Sequence, residues 1–293
     1  MSLRYTSTLT LKPELHDTPK LGMHIKSLER DFKNYYSNHL AQDKSRASGH
    51  YLYSSLAFTI RDRLFERMKH TQHTYAETEC KQAYYLSMEF LMGRAMGNAA
   101  LNLGLEENTK RAMHDLGLDF EELTTLEHDA GLGNGGLGRL SACFIDSCAT
   151  LQLPVTGYGI RYEYGMFQQS IKDGNQIEMP DHWLRDGNPW ELERPEFTQR
   201  IPFGGHTEFR KDEQGQTHVH WVNTNDVLAV PYDLPIPGYK NGTVNKLRLW
   251  KATATDEFNL EDFNAGSYTD AVAAKNEAEN ISRVLYPNDA SEH

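Results

Sequence analysis

The segment Gly131-Leu-Gly-Asn-Gly-Gly-Leu-Gly-Arg139 places five glycines within nine residues. Apolar and small residues recur at helical spacing directly after it, so we predict a glycine loop over Gly131–Gly138 that leads into a helix over Arg139–Leu151. Glycines at such a junction let backbone N–H groups approach an anion with no Cβ in the way, and the helix N-terminus adds partial positive charge. The segment therefore indicates a site for a phosphate or a developing oxyanion. The alternative is a loop that uses glycine only for tight packing.

The same letters contain the G-x-G-x-x-G pattern of dinucleotide-binding loops, at Gly131, Gly133 and Gly136. That fold needs an apolar strand before the loop and an acidic residue about 20 positions after it. The preceding residues, Glu121–Asp129, are polar, and the later stretch Leu153–Thr156 contains no acid. A nicotinamide or flavin site is therefore disfavoured, and an oxidoreductase is the weakest hypothesis for the function.

The chain before the glycine loop has mainly helical patterns. Its predicted elements are a helix over Met23–Leu40, a second helix capped by Ser48, a buried strand over Ala83–Leu86, and helices over Arg94–Leu103 and Glu106–Leu116. The second helix is predicted from apolar residues that recur every fourth position, and the last helix is expected to stop at Gly117.

The chain after the loop changes to strand patterns. A β-prone stretch broken by glycines covers Val155–Tyr164, and a meander of strands is predicted over Gln199–Trp250. Within that meander, the proline-rich stretch Tyr232–Gly238 is interpreted as an irregular loop. An uninterrupted helix is predicted over Thr269–Leu285, because this stretch is rich in alanine and glutamate.

Composition indicates an acidic globular protein. The 293 residues carry 30 Lys and Arg against 41 Asp and Glu, and 39% of them are hydrophobic. Disorder, collagen and coiled coil are excluded as the dominant state. No apolar run approaches the roughly 20 residues of a membrane span, and no signal-peptide core is found. With three cysteines and no C-x-x-C pair, we expect a cytoplasmic protein that binds neither nucleic acid nor membrane.

Three histidines are candidate metal ligands. His218 and His220 share one face of a predicted strand, and His206 is close by in the sequence. No carboxylate or cysteine completes an obvious ligand set, so no metal site is predicted.

Six ordered stretches go beyond these generic patterns. They are Tyr84–Arg94, Asp129–Leu140, Gly157–Gly165, Trp183–Trp190, Arg194–Phe197 and Ala278–Asp289. Together they closely resemble the N-terminal portion of the glycogen, or α-glucan and maltodextrin, phosphorylases, and the likeness runs from about Gly49 onward. The resemblance implies an α/β fold that is the N-terminal part of a GT-B glycosyltransferase, which has two Rossmann-like domains. It also implies a helical cap and an antiparallel β meander.

The resemblance implies a reaction and a set of partners. Members of this family release glucose 1-phosphate from α-1,4-glucans with orthophosphate, using pyridoxal 5′-phosphate, and the substrates expected here are glucan and phosphate. A homodimer is also expected. The family's cofactor lysine lies downstream of His293, so no covalently bound cofactor is expected in this chain.

The resemblance also assigns residues. Gly135, Gly136 and Leu137 match family residues whose backbone contacts the phosphates and the glucosyl unit, and Gly135 is also expected to bind the cofactor. Asp289 matches an aspartate of the gate loop beside the active site. Leu91 stands near the cofactor, where animal members carry a tyrosine. No certain catalytic residue is expected within this chain.

The domain boundaries follow from the same likeness. The whole chain, 1–293, is expected to be a truncated N-terminal domain. Its parts are a helical cap and dimerisation region over 1–80, a glycine-loop core over 81–165, a β meander over 166–255, and a tower helix with the start of the gate loop over 256–293. We therefore expect the chain alone to be inactive. The alternative is a truncated, non-catalytic module that binds glucan or forms dimers.

Some positions depart from animal members of the family. Met68 and Ala76 replace an aromatic pair that stacks the activating nucleotide in animal enzymes, and Ala290 replaces an asparagine of the gate loop. Neither Met68 nor Ala76 can stack an adenine well. We therefore predict an enzyme of bacterial type without nucleotide or phosphorylation control, in which a nucleotide titration leaves the melting temperature unchanged.

Overall fold

A computed structural model describes residues 20–43, 48–255 and 272–285. Helices dominate the first part of the described chain. They are α1 (Ile25–Asn34), a π-helical turn (Tyr35–His39), α2 (Gly49–Glu77), α3 (Met96–Leu103), α4 (Glu106–Asp115) and α5 (Phe120–Thr125). The predicted helices are found, although the first changes to π geometry after Asn34 and the third begins at Met96 rather than Arg94.

The helical layer encloses a core of its own. The long helix α2 supplies Leu56, Ile60 and Leu64, each at most 1% exposed. They pack in one cluster with Met96 of α3 and Met113 of α4. The four-residue apolar repeat in the sequence of α2 therefore marks its buried side. Among the described residues, no helix is both long enough and apolar enough to cross a bilayer.

The remaining elements are mainly strands. They are β1 (Ala83–Leu86), β2 (Phe90–Gly93), β3 (Ala130–Leu132), β4 (Val155–Ile160), β5 (Gln168–Lys172), β6 (Asn175–Met179), β7 (Leu192–Glu193), β8 (Gln199–Phe203), β9 (His206–Lys211), β10 (Thr217–Val222), β11 (Asn225–Pro237) and β12 (Val244–Ala254). Two helices complete the described fold, α6 (Gly136–Thr150) and α7 (Ala273–Asn280).

The main sheet mixes parallel and antiparallel strands in the order β1-β4-β12-β11-β7, with β8 also paired to β11. The β1–β4 and β4–β12 pairs are parallel, whereas β11 runs antiparallel to β12, β7 and β8. Helix α6 covers one face of this sheet, where Ile145 packs with Leu247 and Leu249 of β12. The mixed α/β architecture predicted from sequence is confirmed to this extent.

The prediction that Ala83–Leu86 is a buried strand is wrong in its burial. The strand forms, but it lies at the edge of the described sheet, and Tyr84 and Leu86 are 59% and 75% exposed. Apolar side chains such as these two are typical of a surface that packs against another element. No element of the described residues covers them.

The prediction that Tyr232–Gly238 is an irregular loop is also wrong, since most of it belongs to β11. Gly238 N–H donates to Thr243 O at 2.9 Å, which places the N–H groups of alternate residues before it toward β12. Pro231, Pro235 and Pro237 occupy the positions in between, where the nitrogen faces away from β12. The prolines are tolerated there because their missing N–H groups are not needed in that ladder.

The helix predicted over Thr269–Leu285 is shorter in the structure. It ends at Asn280, and residues 281–285 are turns and coil, so the prediction of an uninterrupted helix to Leu285 is wrong. Ser282 instead pairs with the sheet, because its Oγ accepts a bond from Ala252 N–H at 3.0 Å. Residues 269–271 lie outside the described residues, as does Asp289.

The turn between β11 and β12 caps the C-terminal end of α6. Asn241 Nδ2 donates to the carbonyl oxygens of Ala149 at 3.1 Å and Thr150 at 2.8 Å, and Tyr239 N–H donates to Thr150 Oγ1 at 3.1 Å. The two Asn241 bonds satisfy carbonyl groups that a helix end otherwise leaves without partners.

We expect Gly238→Ala to lower the free energy of unfolding by about 1–3 kcal/mol, the usual cost of overpacking. The new Cβ would lie 2.6 Å from the carbonyl carbon of Ala149 and 2.7 Å from Asn241 Oδ1. Urea denaturation measures the change. In the control Gly97→Ala, the Cβ meets no described residue within 4 Å outside its own helix, so that variant should be neutral or slightly more stable. Equal stability of the two variants would contradict the packing argument.

Candidate functional site

The glycine loop (Gly131–Gly138) connects β3 to α6. The helix begins at Gly136, with Gly135 as its N-cap residue, so it starts earlier than the predicted Arg139. Its first internal bond is donated by Arg139 N–H to Gly135 O at 2.9 Å. The N–H groups of Gly136, Leu137 and Gly138 lie before that bond and are not used by the helix ladder. Together with the helix dipole, they offer donors to an anion.

The glycines of the loop fall into two structural kinds. A Cβ added to Gly133 or Gly138 would lie 3.1 Å from the Cα of the other glycine and close to Glu89. These two are packing glycines, as the alternative interpretation required. By contrast, a Cβ on Gly135 or Gly136 meets nothing within 4 Å in the part of the chain that the structure describes. The open space beside Gly135 and Gly136 is therefore where a ligand can approach the backbone.

Glu89 holds the loop in this shape. Its side chain is buried, and its Oε2 accepts a bond from Asn134 N–H at 3.0 Å. The Glu89 N–H donates to Ser87 Oγ at 3.2 Å, which fixes the residue at the start of β2. Sequence reasoning did not single out Glu89. The available signal was one acidic residue between apolar Met88 and Phe90.

Three of the predicted site residues lie together, and a fourth lies close to them. Gly135, Gly136 and Leu137 form the start of α6, and the Leu137 side chain is 62% exposed. Leu91 lies on β2, next to β3, and its carbonyl oxygen accepts a bond from Arg139 Nη1 at 3.2 Å. One turn of α6 therefore connects Leu91 to the glycine loop.

Acidic groups stand beside the start of the loop. Asp181 Oδ2 would lie 3.9 Å from a Cβ on Gly131. Burial raises the pKa of Asp181; His128 opposes this shift and Asp129 adds to it. The acidic groups therefore lie near Gly131, at the N-terminal end of the loop. The N–H groups that the helix ladder does not use lie at its C-terminal end, in Gly136–Gly138.

The described histidines do not form a metal centre. His218 Nε2 is 2.7 Å from Asp212 Oδ2, and His206 pairs with Glu208 on an exposed hairpin. Across the described ranges 20–43, 48–255 and 272–285, no cluster of three or more potential ligands is found.

A second surface lies on the face of the sheet opposite α6. We call it the sheet groove, and it is formed by Tyr84, Leu86, Ser87, Met88, Tyr158, Gly159, Ile160 and Trp250. Parallel strands are normally covered on both faces. The exposed apolar groove therefore marks a contact surface rather than an ordinary solvated face.

Comparison with known proteins agrees with the motif resemblance. The family model of the carbohydrate phosphorylases matches residues 113–293. The liver form of human glycogen phosphorylase is 52% identical over 265 residues, and the muscle form of the human enzyme is 53% identical over the same length. The mouse muscle form is 52% identical. Each alignment covers 90% of this chain and 31% of the relative, so the chain spans about a third of the length of these curated relatives.

Proposed function

The chain belongs to the carbohydrate phosphorylase family, and on that premise we propose that it forms one wall of the catalytic cleft of a glucan phosphorylase. The reaction is phosphorolysis of an α-1,4-glucan. A phosphate oxygen forms a bond to C1 of the terminal glucosyl unit, the bond from C1 to O4 of the next unit breaks, and that O4 takes up a proton. The products are glucose 1-phosphate and a glucan shorter by one unit.

The observation that carries this proposal is the open backbone at Gly135 and Gly136. A phosphate dianion needs fixed N–H dipoles that point toward it rather than reactive side chains. The N–H groups of Gly136, Leu137 and Gly138 provide such dipoles at the positive end of α6. Glu89 keeps them in place through Asn134 before any ligand binds. The role proposed for the loop is therefore to bind and orient phosphate.

The family's cofactor fits the same loop. Gly135 has no side chain, and no described residue lies within 4 Å of the position that a Cβ would take there. This open space admits a phosphate group close to the backbone. We propose that Gly135, with Leu91 nearby, contacts pyridoxal 5′-phosphate in the whole enzyme, and that no lysine of this chain binds it covalently. When bound, the cofactor supplies a phosphate group that exchanges protons with the substrate phosphate. Asp289 is proposed to lie on the gate loop.

The sheet groove and the glycine loop favour the proposal that this chain is part of a catalytic cleft. They argue against an independent glucan-binding module. A free-standing glucan-binding domain has no need for an uncovered apolar surface beside a parallel edge strand. We propose that further phosphorylase structure covers this groove in the whole enzyme.

We expect the 293-residue polypeptide alone to show no phosphorolysis, because it spans only 31% of the relatives' length. The assay measures glucose 1-phosphate released from maltodextrin and orthophosphate. Cofactor absorbance after incubation with pyridoxal 5′-phosphate and dialysis is measured in parallel. A longer polypeptide that includes this chain and extends to the relatives' full length is the positive control, and it should be active.

Turnover by the 293-residue polypeptide, or cofactor absorbance that survives dialysis, would refute the expected dependence on further structure. An inactive full-length control would instead refute the proposed phosphorylase activity.

The proposed partners follow from the family. We propose a cytoplasmic homodimer whose contacts come from the helical region 1–80 and from the segment that includes α7, with the core over 81–165 and the meander over 166–255 forming the wall. Met68 packs against the helical core, and Ala76 is exposed on α2. Neither provides a ring for an adenine, which supports an enzyme without nucleotide control.

A further inference from the structure

The antiparallel hairpin β9–β10 exposes an apolar row on one of its faces. It forms a two-stranded sheet of its own, apart from the main sheet that packs against α6. Its register pairs Phe209 with Val219 and Thr207 with Trp221. Because paired residues of neighbouring strands share a face, Phe209, Val219 and Trp221 lie side by side. Their exposed fractions are 72%, 61% and 55%, and we call these three residues the hairpin platform.

The tryptophan of the platform differs from the other tryptophans of the chain. Trp183 and Trp190 are buried, and Trp250 is half-buried in the sheet groove. Trp221 is held in place without being buried, because its Nε1–H donates to Gly204 O at 2.7 Å. An aromatic side chain that is ordered before binding loses little conformational entropy when a ligand packs on it.

The turn between β8 and β9 holds the acceptor of this hydrogen bond. Gly204 and Gly205 have positive φ angles of 64° and 67°, a conformation that glycine adopts without strain. A Cβ on Gly205 would clash with Val222 O, so the turn packs closely against the end of β10. The Trp221 ring is therefore fixed to a tightly packed turn.

The charges of the hairpin favour a neutral ligand. Among the strand residues on the platform face, Lys211 carries the only charge, so a cationic ligand finds no carboxylate there. Elsewhere on the hairpin, Arg210 pairs with Glu208 at 2.8 Å, and His218 pairs with Asp212 at 2.7 Å. An anionic ligand would approach a chain whose formal charge is −11. A neutral ligand that has both apolar faces and hydroxyl groups suits this surface.

We propose that the hairpin platform binds a neutral α-1,4-glucan chain, at a place separate from the glycine loop. The face of an aromatic ring is electron-rich, so it attracts the slightly positive C–H groups on the face of a glucosyl unit. Diagonal neighbours of an antiparallel pair lie about 7–8 Å apart, so Phe209 and Trp221 can contact different units of one chain. The identity of the ligand rests on the proposed function, which requires a glucan as substrate. The platform holds a large glucan beside the enzyme while a chain end reaches the glycine loop.

Glycogen binding by the whole phosphorylase tests the proposal. Co-sedimentation with glycogen, without orthophosphate so that the glucan stays intact, measures the dissociation constant. We expect Trp221→Ala and Phe209→Ala each to weaken binding about five- to tenfold, given the usual strength of one aromatic contact. Phe209→Ala breaks no side-chain hydrogen bond, so it tests the platform even where Trp221→Ala disturbs the hairpin. The matched control Ile171→Ala removes an exposed apolar side chain from the β5–β6 hairpin, and it should bind normally.

Steady-state kinetics separate the platform from the catalytic cleft. Maltotetraose is too short to contact both places at once, so Trp221→Ala should raise the ratio of the KM for glycogen to the KM for maltotetraose about five- to tenfold. An unchanged dissociation constant and an unchanged KM ratio in both platform variants would overturn the proposal. A change of oligomeric state in these variants without glucan, measured by sedimentation velocity, would also overturn it, because the platform would then bind a second copy of the chain. Absence of glucose 1-phosphate release by the whole enzyme would instead refute the proposed function, and co-sedimentation would still test the platform.

Discussion

Replacing Gly136 by alanine is expected to reduce kcat/KM for phosphorolysis by about 10²–10³ in the whole phosphorylase, the loss typical of one backbone donor to a transition state. Among the described residues, the added methyl group contacts nothing within 4 Å outside its own helix and its chain neighbours. It would instead occupy the space through which we propose that phosphate reaches the N–H groups of α6. The folded state should keep its stability or gain slightly, because alanine is the better helix residue at this position.

Gly138→Ala is the matched control for this prediction, since it changes a packing glycine of the same loop. Its Cβ would lie 3.0 Å from Glu89 Oε2 and 3.1 Å from the Cα of Gly133. We therefore expect Gly138→Ala to lower the melting temperature, whereas Gly136→Ala lowers activity alone. Initial rates at varied orthophosphate and thermal unfolding distinguish the two. A fully active Gly136→Ala enzyme would show that no ligand approaches the open side of the loop.

The sequence did not predict which glycines of the loop are packed, Gly133 and Gly138, and which are open, Gly135 and Gly136. The letters of Gly131–Gly138 were enough to predict a loop, a following helix and an anion site. Which glycines pack and which are open depends on Glu89, which lies 45 residues before Asn134 and meets it only in the folded chain. The motif therefore predicted the site, and a distant contact decided how its residues are used.

The fold was predictable where local pattern and burial agree. The helix that follows Ser48 is found as α2, because its apolar repeat is also its buried side. The interpretation of Tyr232–Gly238 as a loop is wrong because it rests on local composition: Pro235 and Pro237 lie within the stretch, Pro231 directly precedes it, and prolines are typical of loops. Only the register with β12 shows that their nitrogens face away from that strand. Strand pairing joins distant parts of the chain, and local propensity does not report it.

Hydrophobic periodicity also did not predict the polar residues buried among the helices. Arg63 is the main example. This residue lies on α2 and is 1% exposed. Its guanidinium donates to Gly22 O at 3.0 and 2.6 Å, to Thr59 O at 2.6 Å and to Asp31 Oδ2 at 2.7 Å. Arg63 thus joins α2 to α1 and to the segment before it.

We expect Arg63→Ala to lower the free energy of unfolding by about 3–5 kcal/mol, the range for breaking a buried ion pair from one side. Two carbonyl oxygens and Asp31 would lose donors inside the protein, and a cavity would remain. Arg63→Met restores most of the volume, so a similar loss in that variant assigns the effect to the missing donors. The control Arg111→Ala removes an exposed pair with Asp115, which should contribute less than about 1 kcal/mol. Urea denaturation measures all three variants, and a loss in Arg63→Ala no larger than in Arg111→Ala would show that Arg63 does not hold the helices together.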